Sequence, residues 1–600
     1  MAARKTKFAI SSGMVLFLAV SMFFIPFCKE PKAGLSPATW EAGALKRYLG
    51  QDEARRYGEA MRKRHPLAVG ERGMTAGTTG GAAVHAAMVA LGRGGSAMDA
   101  ALTTALTQIC LAGGAWVSYA GFMQVMYYDA ATGEVHNMNA AYNTVQNETD
   151  PSSIPAGPHG DKPLPDARTA LIPGFLAGVE AAHERWGKLP FEMIFEPAVY
   201  FAEEGFPVGD LLGAMIQSKK EVLSRLPETK KIYVKENGDF YEKGDIFTQP
   251  KLAGTLRRCA EEGVRNYIYE GEWAEKFVAA VQRDGGKITM GDMKRYQVMW
   301  PEPISTTYGG NKVYTVGLPA YGGVNVLQGL NLMELTGVRN YGHYTESPEA
   351  LFWLIQSATA FRTRSFWAME SREVEGVDLS LPLRYKRSTA EALWRAAQDG
   401  RIPWALMTEG RPSVHSDGIA VADQWGNVVA MTHTINTSVW GNTGINVDGI
   451  SIPDSAKFQQ VQIAKAGPGK RLPDPTSPLI VLRDGKPVIS IGSIGSGLHY
   501  KTLCVLTSML DFDMNPKQAV DIGCLMDGFA PAGDIQAVGE GEFDPDLIEA
   551  VEAMGQKFRI DDEKRMGSGR GYVVVIAIDP GSGSLEGTCP GEFFGGAEGY

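Results

Sequence analysis

Residues 411–446, RPSVHSDGIAVADQWGNVVAMTHTINTSVWGNTGIN, constrain the fold of this chain more than any other stretch. Two apolar runs rich in β-branched residues, 419–422 and 428–431, flank the polar turn Asp423, Gln424, Trp425, Gly426, Asn427. That pattern predicts a buried β-hairpin. If the turn is centred on Trp425, residues equidistant from it face one another. Ser416 is then expected opposite Thr434, with both side chains on one sheet face and Asn436 joining them two residues on. A hydroxyl nucleophile candidate would have a second hydroxyl and an amide beside it. Taken alone, the pattern leaves two readings open: a reactive site, or polar residues finishing a strand.

The chain has 600 residues, 44% hydrophobic and 21% charged, which is ordinary globular composition with ample material for a large core. One large folded unit is expected, and disorder is excluded as the main character. The net charge of −10, without blocks of lysine or arginine, argues against nucleic acid as a partner. Near the N-terminus, Arg4, Lys5 and Lys7 precede an almost unbroken apolar run from Phe8 to Phe27, closed by Cys28, Lys29 and Glu30. This reads as a secretory signal or a membrane anchor, the only expected membrane contact. Cys28 raises lipidation, although Pro26 and Phe27 do not suit the usual small-residue cleavage site. The other cysteines, Cys110, Cys259, Cys504, Cys524 and Cys589, show no CxxC or Cys/His metal spacing. Their odd number argues against a complete disulfide framework, so they are expected as small buried side chains. No metal or cofactor is indicated.

Along the chain, residues 74–111 predict two closely packed, alanine-rich helices joined at a glycine turn, with Asp99 capping the second. Residues 122–128 and 135–139 predict a second hairpin. Helices are expected over 177–186, 191–204 and 347–367, and Thr289 with Asp292 marks another helix start. Gly322 and Gly323 precede a helix rich in Leu and Met, as an anion cradle or a close packing contact. Residues 399–414 read as a flexible tether. GSIGSG at 492–497 is a glycine-rich strand-to-helix turn or an oxyanion site. The C-terminus reads as two strands followed by a polar tail.

The 416–436 run, with Ser416, Asp423, Gly426, Asn427, Val429, Thr434 and Asn436, resembles the start of the small subunit in the γ-glutamyltransferase (γ-glutamyltranspeptidase) family. The similarity extends over residues 74–600 through GG-x-A-x-D-A-A, ALIPGFLAG, GKLP, EPA, AEEGFPV, GDMKRYQ, PAYGG, GKRLPDPTSPLIV and GSIGSG. It implies an α+β fold: the four-layer αββα sandwich of N-terminal nucleophile hydrolases, built from two chains of one self-cleaved precursor. The implied division is a signal or anchor at 1–28, a large subunit at 29–415 and a small catalytic subunit at 416–600, with scission between His415 and Ser416. The two pieces would form a heterodimer acting on a small-molecule amide or γ-glutamyl compound such as glutathione.

By the same resemblance Ser416 is the nucleophile and its freed α-amino group the base. Thr434 and Asn436 orient it, and the amides of Gly495 and Ser496 hold the oxyanion. Substrate-binding positions fall at Asn139, Asp454 and Asp474. Here the chain departs from the family. No arginine occurs in 136–145 to hold an α-carboxylate, Asp474 and Pro475 stand where paired serines are usual, and Lys457 would repel an α-ammonium. Asp417 stands where a second Thr or Ser is usual. The alternative reading is a non-catalytic envelope protein that keeps the fold for binding or structure.

Overall fold

The structure, a computed structural model, describes residues 34–49, 67–157, 160–365, 373–374, 376–401, 416–526, 535–562, 570–590 and 595–600. The N-terminal apolar segment, Cys28, His415 and most of the expected tether lie outside the described residues.

The hairpin forms as its sequence predicts. Strands Ser416–Ala422 and Val428–Thr434 pair antiparallel, with Ser416 opposite Thr434 and Ala422 opposite Val428. Asp423 Oδ1 accepts the amides of Trp425 (2.9 Å) and Asn427 (3.0 Å), and Gly426 takes φ 86°, the left-handed conformation such a turn needs. Met74–Gly77 pairs with the first strand and Phe122–Asp129 with the second. Glu134–Ala140 and Gly596–Gly599 complete a six-stranded antiparallel sheet. A second, seven-stranded antiparallel sheet runs Ala68–Gly70, Leu585–Thr588, Tyr572–Ile578, Lys486–Ile494, Leu479–Arg483, Asn311–Thr315, Ile304–Tyr308.

Strand alternation sorts the apolar side chains into three layers. Ala420, Ala422, Val428 and Ala430 face Ile480, Leu482, Val574 and Ile576 between the sheets. Ile419, Val421, Val429 and Met431 face away, into helices Gly81–Gly92, Ala97–Leu111 and Phe175–Trp186. On the far side Leu479, Val481, Ile489 and Val575 pack on helices Gly322–Thr336, Pro348–Ser365 and Leu498–Phe512. The result is the expected αββα order.

Helix Ala97–Leu111 is buried nearly all round, so its polar groups must be satisfied within it. Thr103, Thr104 and Thr107 donate to carbonyls one turn back, at 2.8, 2.9 and 2.7 Å. Asp99 and Ser96 form a reciprocal N-terminal cap, as the sequence suggested for Asp99. Gly322 and Gly323 resolve as packing. A Cβ on Gly322 would strike the Pro475 carbonyl, and one on Gly323 would lie 2.7 Å from Thr315 Cγ2. Cys110, Cys259, Cys504, Cys524 and Cys589 are buried small side chains.

One expectation is corrected. The C-terminal GGAEGY is not a tail: Gly596–Gly599 is an edge strand on Met74–Gly77, and the Tyr600 carbonyl accepts the amides of Glu71 (2.8 Å) and Arg72 (2.7 Å). These residues have little strand propensity. They are fixed by a close approach only small residues allow, since a Cβ on Gly599 would lie 2.6 Å from Met74 Cε. Both sheets therefore contain strands from before and after Ser416, paired with one another, so the pieces on either side of that residue share one core. Among the described residues no helix is long and apolar enough to cross a membrane.

Candidate active site

The two sheets approach most closely at a pair of glycines. A Cβ on Gly418 would lie 2.8 Å from the Gly492 carbonyl, and one on Gly492 2.8 Å from both Ile419 N and Met431 O. Two side-chain bonds fix the register across the gap. Ser490 Oγ donates to Val429 O (2.8 Å), and Thr432 Oγ1 donates to Ser493 O (3.2 Å). Strands Val428–Thr434 and Lys486–Ile494 therefore run in the same direction, one above the other. Two residues further along each, Thr434 falls over the turn that starts at Gly495.

At this end of the gap Ser416 Oγ donates to Thr434 Oγ1 at 2.8 Å, and the same oxygen accepts the Asn436 amide at 2.9 Å. Asn436 adopts φ 50°, left-handed backbone that turns the chain off the strand. The hydroxyl-on-hydroxyl arrangement expected from the turn geometry is thus present. Gly495 has φ 80° and leads with Ser496 into helix Leu498–Phe512, which sets this strand-to-helix turn beside the Ser416 strand.

Register extends the site sideways. Thr434 pairs with Phe122, and one row inward Gly418, Thr432, Gln124 and Asn139 lie side by side. Gln124 Nε2 donates to Asp474 Oδ2 at 2.8 Å, and Asp474 Oδ1 accepts the amide and hydroxyl of Thr476. Burial raises the Asp474 carboxyl above its usual range, while Thr476 and Gln124 pull it back. Asn139 is reached by a guanidinium after all, but from another segment. Arg471 Nη1 donates to Asn139 Oδ1 and O (both 3.0 Å), Ala141 O (2.8 Å) and Tyr296 OH (3.0 Å), and Nη2 donates to Gln297 O (2.5 Å). These donors are committed to the protein's own oxygens.

Asp454 is engaged just as fully. Its Oδ1 accepts from Thr437 Oγ1 (2.7 Å), and its Oδ2 accepts from Asn442 N (2.8 Å) and Lys457 Nζ (2.7 Å). The side chains of Lys457 and Asp454 are both 0% exposed. Burial lowers the Lys457 pKa, the Asp454 charge opposes this, and nearby Lys219 adds to the lowering. The pair abuts the nucleophile segment, since Thr437 follows Asn436 and Ser455 Oγ donates to Ile435 O at 2.5 Å.

Asp417 points the opposite way from Ser416, into the helix layer, and is fully buried. Its Oδ1 accepts the hydroxyls of Thr78 (2.9 Å) and Thr79, and its Oδ2 accepts Trp116 Nε1 (3.3 Å). Thr78 Oγ1 also accepts the Gly418 amide at 3.0 Å, so this cluster pins the first turnless residues of the strand. Desolvation pushes the Asp417 carboxyl up to about 7, against the lowering effect of Thr79, Thr78 and Trp116. His433 is held near 3 by burial and bonds Gln108 Oε1 on the helix side, away from Ser416.

The gamma-glutamyltranspeptidase family model matches residues 83–588, most of the chain. The chain belongs to the gamma-glutamyltranspeptidase family. It is an enzyme, a hydrolase and transferase of the N-terminal nucleophile class. A glutathione hydrolase proenzyme of Escherichia coli (strain K12) is 30% identical over 69% of this chain and 74% of that protein. One from Pseudomonas aeruginosa is 27% identical over 81% of this chain and 87% of that protein. In fold, cephalosporin acylase from Bacillus halodurans superposes with a TM-score of 0.72 at 21% identity, covering 91% of this chain and 98% of that one.

Gln124 and the Thr78, Thr79, Trp116 set escaped the sequence reading. Gln124 could have been found, because strand alternation places it two residues from Phe122 on the same face. The others are brought to Asp417 by packing between segments more than three hundred residues apart, for which the sequence carries no local signal.

Proposed function

We propose that the chain is an exported, self-processing amidohydrolase and acyltransferase that acts through Ser416, on γ-glutamyl compounds such as glutathione or on another small amide. The observation that carries this is the 2.8 Å bond from Ser416 Oγ to Thr434 Oγ1 at one end of the inter-sheet gap. In the precursor, Ser416 Oγ attacks the His415 carbonyl carbon. The C–N bond to Ser416 breaks as an ester forms, and water releases the residues up to His415. The freed α-amino group, with an ordinary pKa of about 7.7–8.0, then accepts the hydroxyl proton during attack on substrate. Thr434 and Asn436 hold the hydroxyl, and the amides of Gly495 and Ser496 take the developing charge. Water as second acceptor gives hydrolysis and an amine gives transfer.

The large piece would be residues 29–415 and the small one 416–600, remaining one heterodimer because both sheets pair strands of one piece with strands of the other. Residues 1–28 would direct export as a signal or anchor. Asn139, Asp454 and Asp474 border the substrate space in this reading. A non-catalytic envelope module is not favoured, since the relatives are named as hydrolases and proenzymes. Intact-mass measurement and N-terminal sequencing test the proposal. The wild type should give two chains, the smaller beginning Ser-Asp-Gly-Ile, and Ser416→Ala should give one. A full-length wild type that stays unprocessed would remove Ser416 as the nucleophile.

A further inference from the structure

Lys457 ends at a site already shaped for an ammonium ion. Its three N–H donors meet three acceptors: Asp454 Oδ2 at 2.7 Å, Asn442 Oδ1 at 2.6 Å and Ser438 Oγ at 3.2 Å. Every acceptor is itself held. Thr437 and the Asn442 amide fix the Asp454 carboxylate, and Asn442 Nδ2 donates to Gly160 O at 3.0 Å and Lys162 O at 2.6 Å. Gly441 closes the back of the site, where a Cβ would lie 2.6 Å from Asp454 Oδ1. A second buried ammonium, Lys219 Nζ, also donates to the Gly160 carbonyl at 3.0 Å.

We infer that Lys457 is a specificity-determining residue whose own ammonium occupies the cation subsite next to the nucleophile, so that the enzyme takes acyl groups carrying no ammonium. This rests on Ser416 being the nucleophile, as proposed above. An incoming ammonium would find the Asp454 carboxylate already neutralised, its acceptors filled and two like charges nearby. Displacing Lys457 would strand a buried cation, because among the described residues no other carboxylate bonds its Nζ. The subsite therefore rejects a cation by charge and by lack of acceptors, which is the stronger form of selectivity.

Four p-nitroanilides separate the acyl features: γ-L-glutamyl carries ammonium and carboxylate, glutaryl only the carboxylate, 4-aminobutyryl only the ammonium, and butyryl neither. With processed wild-type enzyme, kcat/KM should favour glutaryl over γ-glutamyl, and butyryl over 4-aminobutyryl, by about tenfold or more. Lys457→Ala opens the site and should bring both ratios down by about tenfold or reverse them. A wild-type preference for the ammonium-bearing member of each pair would overturn the inference. A second readout does not depend on turnover. Ethylammonium chloride, compared with sodium chloride at equal ionic strength, should raise the melting temperature of Lys457→Ala and leave wild type unmoved. Absence of that rescue would also count against the inference. If no anilide is turned over while the rescue is seen, the nucleophile assignment fails and the cation site stands.

Discussion

Gly492→Ala tests the geometry on which the site depends. Gly492 lies in strand Lys486–Ile494 where the sheets cross, and an added Cβ would be 2.8 Å from Ile419 N and Met431 O and 3.0 Å from Ile419 O. All three are backbone atoms in the centre of the opposing sheet, so no side-chain rotation relieves the contact. Ordinary van der Waals distance begins near 3.4 Å, and the sheets must separate by roughly 0.5 Å. Overpacking of this kind costs about 1–3 kcal/mol. Gly495 and Ser496 follow directly after this strand, so they move away from Ser416 by a similar amount. A misplacement of ~1 Å can cost 10²-fold in rate, so half of it should slow self-cleavage roughly tenfold. The assay follows conversion of precursor to two chains on denaturing gels after expression at low temperature, with thermal denaturation of the same samples. Gly254→Ala in helix Pro250–Glu262 is the control, because its Cβ meets nothing within 4 Å. That change should leave processing intact and stabilise by up to about 1 kcal/mol. Equal processing and equal melting of Gly492→Ala and wild type would refute the close crossing of the sheets.

Two further outcomes follow from single side chains. The Asp417 carboxyl is raised from 3.8 to about 7 by burial, so the folded protein holds its proton more tightly than the unfolded chain. Its stabilising contribution is then complete below the ordinary carboxylate pKa and lost as pH rises through 7, a difference of about 4 kcal/mol. Melting curves of wild type between about pH 4 and 8, set against Asp417→Asn, should diverge most at the alkaline end, where the variant is relatively more stable. Parallel curves would sink that reading. Thr434→Val keeps the shape but removes the oxygen that accepts from Ser416 and Asn436, and should slow both processing and amide turnover by about 10²-fold. Unchanged processing would show that Thr434 only fills the strand end.

The sequence by itself determined the hairpin, its register and hence the meeting of Ser416 with Thr434, because alternation and turn length are local properties of the chain. It also determined the helix caps at Asp99 and Thr289, where side chain and backbone bond within one turn. The family was legible because its motifs mark tight turns and helix starts whose residue choice is steric. Tertiary structure alone decided the rest. The polar C-terminal glycines became a strand because the Met74–Gly77 edge needed a partner that could lie close. Arg471 reached Asn139 across a sequence gap that no periodicity spans, and its Nη1 and Nη2 groups donate to backbone and side-chain oxygens of the protein itself. Asp454 and Lys457, one helical turn apart, read as an attraction and a repulsion for the same substrate group. Their burial side by side made them partners, since a carboxylate and an ammonium removed from water must satisfy each other.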